Sequence, residues 1–162
     1  MGEDQQQEEQ PVIRSINNDH RSFVRFINKT PHNVKLYWID YQGQAIYYGV
    51  LSSGGYVDIN TFATHPWIFV DEETRDRYMV NQRDVFFPEP WFAKYRGVRR
   101  SNLPQRYYRT YVYITLPIYT LRELSLRAVR RCLKHERQAF LLDIPRTLQQ
   151  ELSTMLPRKE DD

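Results

Sequence analysis

Two hydroxyls, an imidazole and an indole fall within the seven residues Thr61-Phe62-Ala63-Thr64-His65-Pro66-Trp67. Trp38, Tyr41, Tyr47, Tyr48 and Asn60 lie upstream and extend the group, which is mostly aromatic. Grouped in this way, residues of these types suit the binding of a small ligand. Aromatic faces can sandwich a small ring while a hydroxyl and an imidazole nitrogen satisfy one polar group on it. The composition suits a small ring carrying a single hydroxyl, although the same aromatics would also serve as the core of a β-sandwich.

Catalytic signatures are missing. His20, His32, His65 and His135 fall at no metal-ligand spacing, and Cys132 is the single cysteine, so neither a zinc site nor a disulfide framework is expected. Ser52-Ser53-Gly54-Gly55 lacks the Lys and the following helix of a phosphate-cradling loop. No G-x-S-x-G elbow is present. The expectation is a non-catalytic protein without metal or cofactor.

The candidate side chains need a scaffold, and residues 11–88 supply it in short alternating runs. Residues 23–27, 34–39, 45–50, 56–60 and 67–70 read as strands, punctuated by Asn28-Lys29-Thr30-Pro31, Asp40-Tyr41-Gln42-Gly43 and Ser52-Ser53-Gly54-Gly55. Alternation places Val34, Leu36 and Trp38 on one face. Turn signals at intervals of about 8–12 residues predict an antiparallel β-sandwich or barrel rather than βαβ units. A strand near 111–116 completes it.

Downstream of an insert at 89–113 the pattern becomes helical. Thr120 and Glu123 have the spacing of a capping box. Leu121, Leu124, Ala128 and Cys132 form one apolar stripe, and Leu126, Val129 and Leu133 a second. A short segment near 136–142 and a last helix opened by Pro145, with Leu148, Leu152 and Met155, complete a unit over 117–156. Such a unit is marginal alone. Its first helix carries more apolar surface than two short neighbours can cover, which points to docking on another protein. The predicted fold class is α+β in two domains, an N-terminal antiparallel β-sandwich followed by a small all-α domain. Residues 1–10 and 157–162 read as disordered tails.

The chain is 41% hydrophobic and 14% aromatic, which supports a packed core. No apolar run approaches the roughly 20 residues of a membrane helix, and the lone cysteine suits a reducing, intracellular compartment. Charge divides unevenly: residues 1–88 carry 8 Lys/Arg against 12 Asp/Glu, and residues 89–162 carry 15 against 8. Lys94, Arg96, Arg99, Arg100, Arg106 and Arg109 concentrate the excess in 91–113, interleaved with Trp91, Phe92, Tyr95, Tyr107 and Tyr108. Basic plus aromatic is a nucleic-acid composition, so a nucleic-acid or matrix-associated binding module is the alternative function. A solvated loop or an acidic partner is the plainer account, and nucleic acid is not expected.

The residues 36–38, Tyr48 and 61–71 resemble the hydroxyproline-binding β-domain of the von Hippel–Lindau tumour suppressor family. Val80-Asn81-Gln82, Leu116-Pro117-Ile118-Tyr119-Thr120-Leu121-Arg122-Glu123 and Leu142-Asp143-Ile144 are similar to that family as well. The resemblance spans roughly 12–88 and 114–156. It implies a substrate receptor of a cullin-RING ubiquitin ligase, cytoplasmic and nuclear, that captures prolyl-hydroxylated hypoxia-inducible factor α. Elongin C, with elongin B, would link it to the cullin scaffold and its RING protein.

Carried onto this chain, the resemblance makes Trp38 the pocket floor and Tyr48 and Trp67 its walls. Thr61 and His65 would hydrogen-bond the 4-hydroxyl, Asn60 and Tyr48 would hold the peptide backbone, and Tyr41, Phe62 and Asn17 would add contacts. Leu121, Leu124, Ser125, Ala128 and Val129 would bind elongin C, and Pro117, Leu142 and Ile144 would meet the cullin.

The chain departs from the family at several places. Thr61 replaces Ser, Asn60 replaces His, and Asp19 replaces Arg. Ser125 stands where the family carries Cys, with a hydroxyl that either weakens the elongin contact or bonds back to its own helix. The insert is longer than the family's connection, and no helix is expected to close back onto the β-domain after residue 156.

Overall fold

A computed structural model describes residues 12–104, 106 and 108–156. The tails expected at 1–10 and 157–162, and Tyr107 of the insert, lie outside the described residues. The chain divides into Met1–Pro117 and Ile118–Asp162.

The first unit is a sandwich of two three-stranded sheets. Strands β1 (Arg21–Asn28), β4 (Tyr56–Phe62) and β6 (Thr110–Ile114) form one sheet in the order β4-β1-β6. Strands β2 (Val34–Ile39), β3 (Ala45–Leu51) and β5 (Trp67–Asp71) form the other in the order β3-β2-β5. Alternation sets the faces: Ser22, Val24, Phe26 and Asn28 of β1 are buried, while the residues between them are half-buried. Val24, Phe26, Val112 and Ile114 meet Val34, Leu36, Trp67 and Phe69 in one core, with Tyr78 and Val80 joining from the following loop.

The α+β class stands, with one exception to the antiparallel pattern. β1 pairs antiparallel with β4 (Val24↔Ile59), but parallel with β6 (Phe26↔Val112). Parallel neighbours require a long crossover, and the many residues between β1 and β6 provide it. β6 begins inside the expected insert, whose remainder includes two short 3₁₀ turns, Ala93–Tyr95 and Arg100–Asn102.

Asn28 shows why the β1–β2 turn is fixed. It is fully buried. Its amide nitrogen faces the carbonyls of His32, Leu51 and Ser52 at 2.7–3.1 Å, while its Oδ1 accepts from the Thr30 backbone and hydroxyl. Asn28-Lys29-Thr30 fits a glycosylation sequon, yet this asparagine is enclosed and fully occupied.

The second unit contains α1 (Leu121–Arg130), a 3₁₀ segment (Glu136–Leu141) and α2 (Arg146–Thr154). The capping box forms: Glu123 N donates to Thr120 Oγ1 at 3.2 Å, and Thr120 N donates to Glu123 Oε2 at 2.7 Å. The Thr120 N–H and the Thr120 hydroxyl, which both donate to Glu123 Oε2, hold that carboxyl below its usual pKa. α1 stops at Arg130, so Cys132, expected on its apolar stripe, lies beyond the helix and is exposed. Leu126, Ala139 and Leu152 form the small buried core, and a two-pronged Arg122–Glu151 pair at 2.6 Å joins α1 to α2.

Candidate functional site

Trp38 sits near the end of β2, directly opposite Trp67 of β5. Its indole N–H donates to Ser15 Oγ at 2.8 Å, and Ser15 Oγ donates to the Ile39 carbonyl at 2.6 Å. Ser15 is itself fully buried, and its backbone N–H reaches the Asp40 carbonyl at 2.9 Å. The segment before β1 thus holds the indole in one orientation.

Tyr48 reaches the same cluster because β3 carries a bulge. Leu36 pairs with Gly49 but Tyr37 pairs with Tyr47, which leaves Tyr48 as the extra residue. A bulge re-aims a side chain in this way. Gly49 adopts φ +139°, open to glycine and rarely to other residues. The Tyr48 ring stands edge-on to Trp67 at 4.8 Å and to Trp38 at 6.5 Å. Tyr47 is not part of the group; its ring lies against Tyr37.

Thr61 and His65 bring the polar groups. Thr61 is buried at the inward side of β4, and its Oγ1 accepts from the Trp67 indole N–H at 3.1 Å. That leaves the hydroxyl hydrogen of Thr61 to donate elsewhere. His65, in the bend between β4 and β5, is 7% exposed. Its ring stacks on Trp38 at 5.1 Å and 23°, leans on Phe62 at 5.0 Å, and meets Tyr41 edge-on at 5.5 Å. Burial lowers the imidazole pKa, with a hydrogen bond to the Asn17 backbone pulling the other way. His65 is therefore neutral near pH 7, with one donor and one acceptor nitrogen.

Seven of the nine residues expected at the peptide site form one connected cluster: Trp38, Tyr41, Tyr48, Thr61, Phe62, His65 and Trp67. Asn17 joins at its margin, exchanging backbone hydrogen bonds of 3.0 and 2.6 Å with the Thr64 hydroxyl. Asn60 is exposed and points away from Thr61's face, but it lines a groove of about 390 Å³ with Tyr48, Leu36, Gly49, Val57 and Ile59. That groove runs between β3 and β4, each an outer strand of its sheet. Outer strands present unpaired backbone groups that can accept an extended peptide. A second cleft, about 540 Å³, opens away from this cluster beside Arg83, Phe87, Trp91 and Lys94.

Sequence reasoning missed Ser15 and Thr64 as supports. Both lie in segments without apolar periodicity, and nothing local marks a serine as the partner of an indole 23 residues away.

In the helical unit, Leu121 is 81% exposed and Leu124 50%, with Ser125, Ala128 and Val129 exposed beside them. Ser125 bonds back to its own helix, donating to the Leu121 carbonyl at 2.8 Å. Leu142 and Ile144 are half-buried against the helical core, while Pro117 is the last residue of the β unit. Among the described residues, no group of three or more His, Cys, Asp or Glu is placed to hold a metal ion. Among them too, no helix is long and apolar enough to cross a membrane.

The arrangement can enclose a small ring between aromatic faces and offer it a hydroxyl and an imidazole. The VHL beta domain family matches residues 13–93, the stretch that contains the whole cluster. Protein Vhl of Drosophila melanogaster is 31% identical over 141 residues, covering 83% of this chain and 77% of the relative. The chain belongs to the VHL family.

Proposed function

We propose that this protein is a VHL-like substrate receptor of a cullin-RING ubiquitin ligase, recognising 4-hydroxyproline in the α subunit of hypoxia-inducible factor. The observation that carries this reading is the burial of Thr61 and His65 inside the Trp38, Tyr48 and Trp67 cage. A hydroxyproline ring fills such a cage and its hydroxyl meets both polar groups. Plain proline would desolvate them without a partner, at about 1–3 kcal/mol for each group left unpaired. Sites built to bond a hydroxyl reject its absence strongly. The peptide backbone would lie along the β3–β4 groove, held by Asn60 and Tyr48. Recognition involves no chemistry by this chain; a separate prolyl hydroxylase supplies the mark.

Elongin C, paired with elongin B, would dock on Leu121, Leu124, Ser125, Ala128 and Val129, and Pro117, Leu142 and Ile144 would face the cullin. The exposed apolar side chains of α1 support this. The internal bond of Ser125 favours it also, because a hydroxyl already partnered can enter an interface at lower desolvation cost. A receptor for such a factor would work in the cytoplasm and nucleus. The nucleic-acid alternative loses ground because two of the insert's cations are engaged locally. Arg109 sits 3.3 Å from Asp58 and donates to Val24 and Ile59 carbonyls, and Lys94 donates to the Tyr108 carbonyl.

The test is direct binding of a hydroxyprolyl peptide and its prolyl twin to the purified protein. Strong preference for the hydroxylated form is expected, and its loss in His65→Ala with the fold intact. Equal affinity for the two peptides would sink the reading.

A further inference from the structure

Apart from the aromatic cage, the β unit holds a cleft of about 540 Å³ beside the start of β1, a size that suits a small ligand. Its walls are apolar and held in place. Val24 of β1 is enclosed, Phe86 exchanges two backbone hydrogen bonds of 2.9 Å with Trp67, and the Trp91 N–H donates to the Arg21 carbonyl at 2.9 Å. Val80 and Arg83 exchange backbone hydrogen bonds of 2.9 and 3.0 Å around Asn81 and Gln82, which sit at φ +51° and +64°. Two successive non-glycine residues in the left-handed region persist only where their surroundings over-determine them. Here they turn the chain so that Val80 and Arg83 both line the cleft. The Val80-Asn81-Gln82 run has no part in the cage.

Polar groups stand at the floor and at the mouth. Ser22 is 3% exposed and lines the cleft, and among the described residues no protein group hydrogen-bonds its hydroxyl. Buried polar groups are ordinarily partnered, so this hydroxyl is one that a ligand can satisfy. Arg83, Glu89 and Lys94 line the cleft and are exposed. Among the described residues neither Arg83 nor Glu89 enters an ion pair. Lys94 donates to the Tyr108 carbonyl at 2.7 Å and keeps its charge. Unneutralised charges of both signs therefore remain at the opening. We propose that this cleft binds a free α-amino acid with a hydroxylated aromatic side chain, of which tyrosine is the type. The ring lies against Val24, Phe86 and Trp91, and the phenol meets Ser22. The carboxylate meets Arg83 and Lys94, and the ammonium meets Glu89. Phenol and serine hydroxyls can each donate or accept, so the pair is matched in either sense. The site is separate from the hydroxyproline cage, and its test needs no peptide.

The experiment follows amide and indole NMR shifts of the ¹⁵N-labelled full chain as four small molecules are added: L-tyrosine, L-phenylalanine, tyramine and 3-(4-hydroxyphenyl)propionate. Tyrosine should saturate with a Kd below about 1 mM and move the signals of Ser22, Val24, Arg83 and Trp91. Phenylalanine lacks the phenol and should bind about 3- to 10-fold more weakly, the worth of one hydrogen bond. Tyramine lacks the carboxylate and the propionate lacks the ammonium, and each should lose about 5-fold or more. Three variants then remove one partner at a time. Ser22→Ala should bind tyrosine and phenylalanine alike, Arg83→Gln should narrow the gap between tyrosine and tyramine, and Glu89→Gln should close the gap between tyrosine and the propionate. Each variant is read as a ratio of two ligands, so a loss of stability that weakens both leaves the ratio where it was. No saturation by tyrosine up to about 2 mM, shifts confined to residues outside the cleft, equal affinity for all four molecules, or ratios unmoved in the matching variants would each overturn the proposal.

Discussion

Ser15→Ala isolates the support beneath Trp38. The hydroxyl of Ser15 accepts from the Trp38 indole at 2.8 Å and donates to the Ile39 carbonyl at 2.6 Å, while its backbone N–H bonds separately to Asp40 and is untouched by the change. Each lost hydrogen bond is worth about 0.5–1.5 kcal/mol, rising toward 3 where the abandoned partner stays buried. Ile39 is 7% exposed, so its carbonyl belongs at the upper end, whereas Trp38 is half-buried and water can reach part of its rim. The volume lost is one oxygen, too small for a cavity to matter. The two terms together come to about 2–3 kcal/mol. For a unit of this size, each kcal/mol moves the melting temperature by about 4–8 °C, so the β unit should melt about 8–24 °C lower. Calorimetry or tryptophan fluorescence on heating measures this, and the hydroxyprolyl peptide should bind more weakly because the floor of the pocket is no longer fixed. A melting temperature within about 2 °C of wild type, far below the shift that scaling demands, would refute the claim that Ser15 orients Trp38.

Three further outcomes are expected. Leu121→Ala should leave melting unchanged within about 0.5 kcal/mol, as exposed sites do, while pull-down with purified elongin B–elongin C is lost; retained capture would remove Leu121 from the interface. Asp71 is buried, which tends to raise its pKa, but the hydroxyl of Tyr78 and the backbone N–H groups of Thr74 and Glu73 outweigh this and hold the carboxyl lower. A carboxyl whose native pKa is depressed stabilises the fold above its unfolded value near 3.9 and loses that contribution as pH falls through the native value, so acid titration followed by circular dichroism should show a loss that Asp71→Asn flattens. Gly49→Ala should cost about 1–3 kcal/mol of backbone strain at φ +139°, with no clash because nothing lies within 4 Å of the added Cβ; an unperturbed melt would mean that the bulge does not need glycine.

The strands were readable because their inner residues alternate. In Val34, Leu36 and Trp38 the period of two is unbroken, and the strand β2 lies where the alternation places it. The bulge in β3 was not readable. Residues 45–48 and 50–51 are all compatible with a regular strand, and only pairing with β2 reveals that Tyr48 is supernumerary. The parallel partnership of β1 with β6 escaped for a similar reason: a short strand of alternating residues does not encode its neighbour's direction. The cluster's chemical content was legible in 61–67, yet the bonds that orient it were not. Tyr41 looked like a contact residue, and the geometry ties it to His65 Nε2. The resemblance named residues that the structure gathers into one cluster, whereas long-range hydrogen bonds from Ser15, Asn17 and Tyr41 arrange them.

The helical unit raises an energetic question that the proposed partner answers. Leu126, Ala139 and Leu152 are its buried centre, with Leu133, Leu142, Ile144, Leu148, Met155 and Leu156 half-covered around them. Units near 40 residues seldom hold together without a disulfide, a metal or association with another chain. The single cysteine excludes the first within this chain. Leu121 and Leu124 meanwhile remain largely exposed on α1, an arrangement unfavourable for a unit short of core. A partner that binds the folded form and not the unfolded one stabilises it by RT ln(1 + [L]/Kd). Elongin C on that stripe would supply the missing burial and the link to the ligase in one contact. The β unit, with Val24, Phe26, Leu36, Trp67, Phe69 and Ile114 enclosed in its own core, has no comparable need. Recognition can then rest on a preformed pocket, while recruitment is coupled to the stability of the segment that performs it.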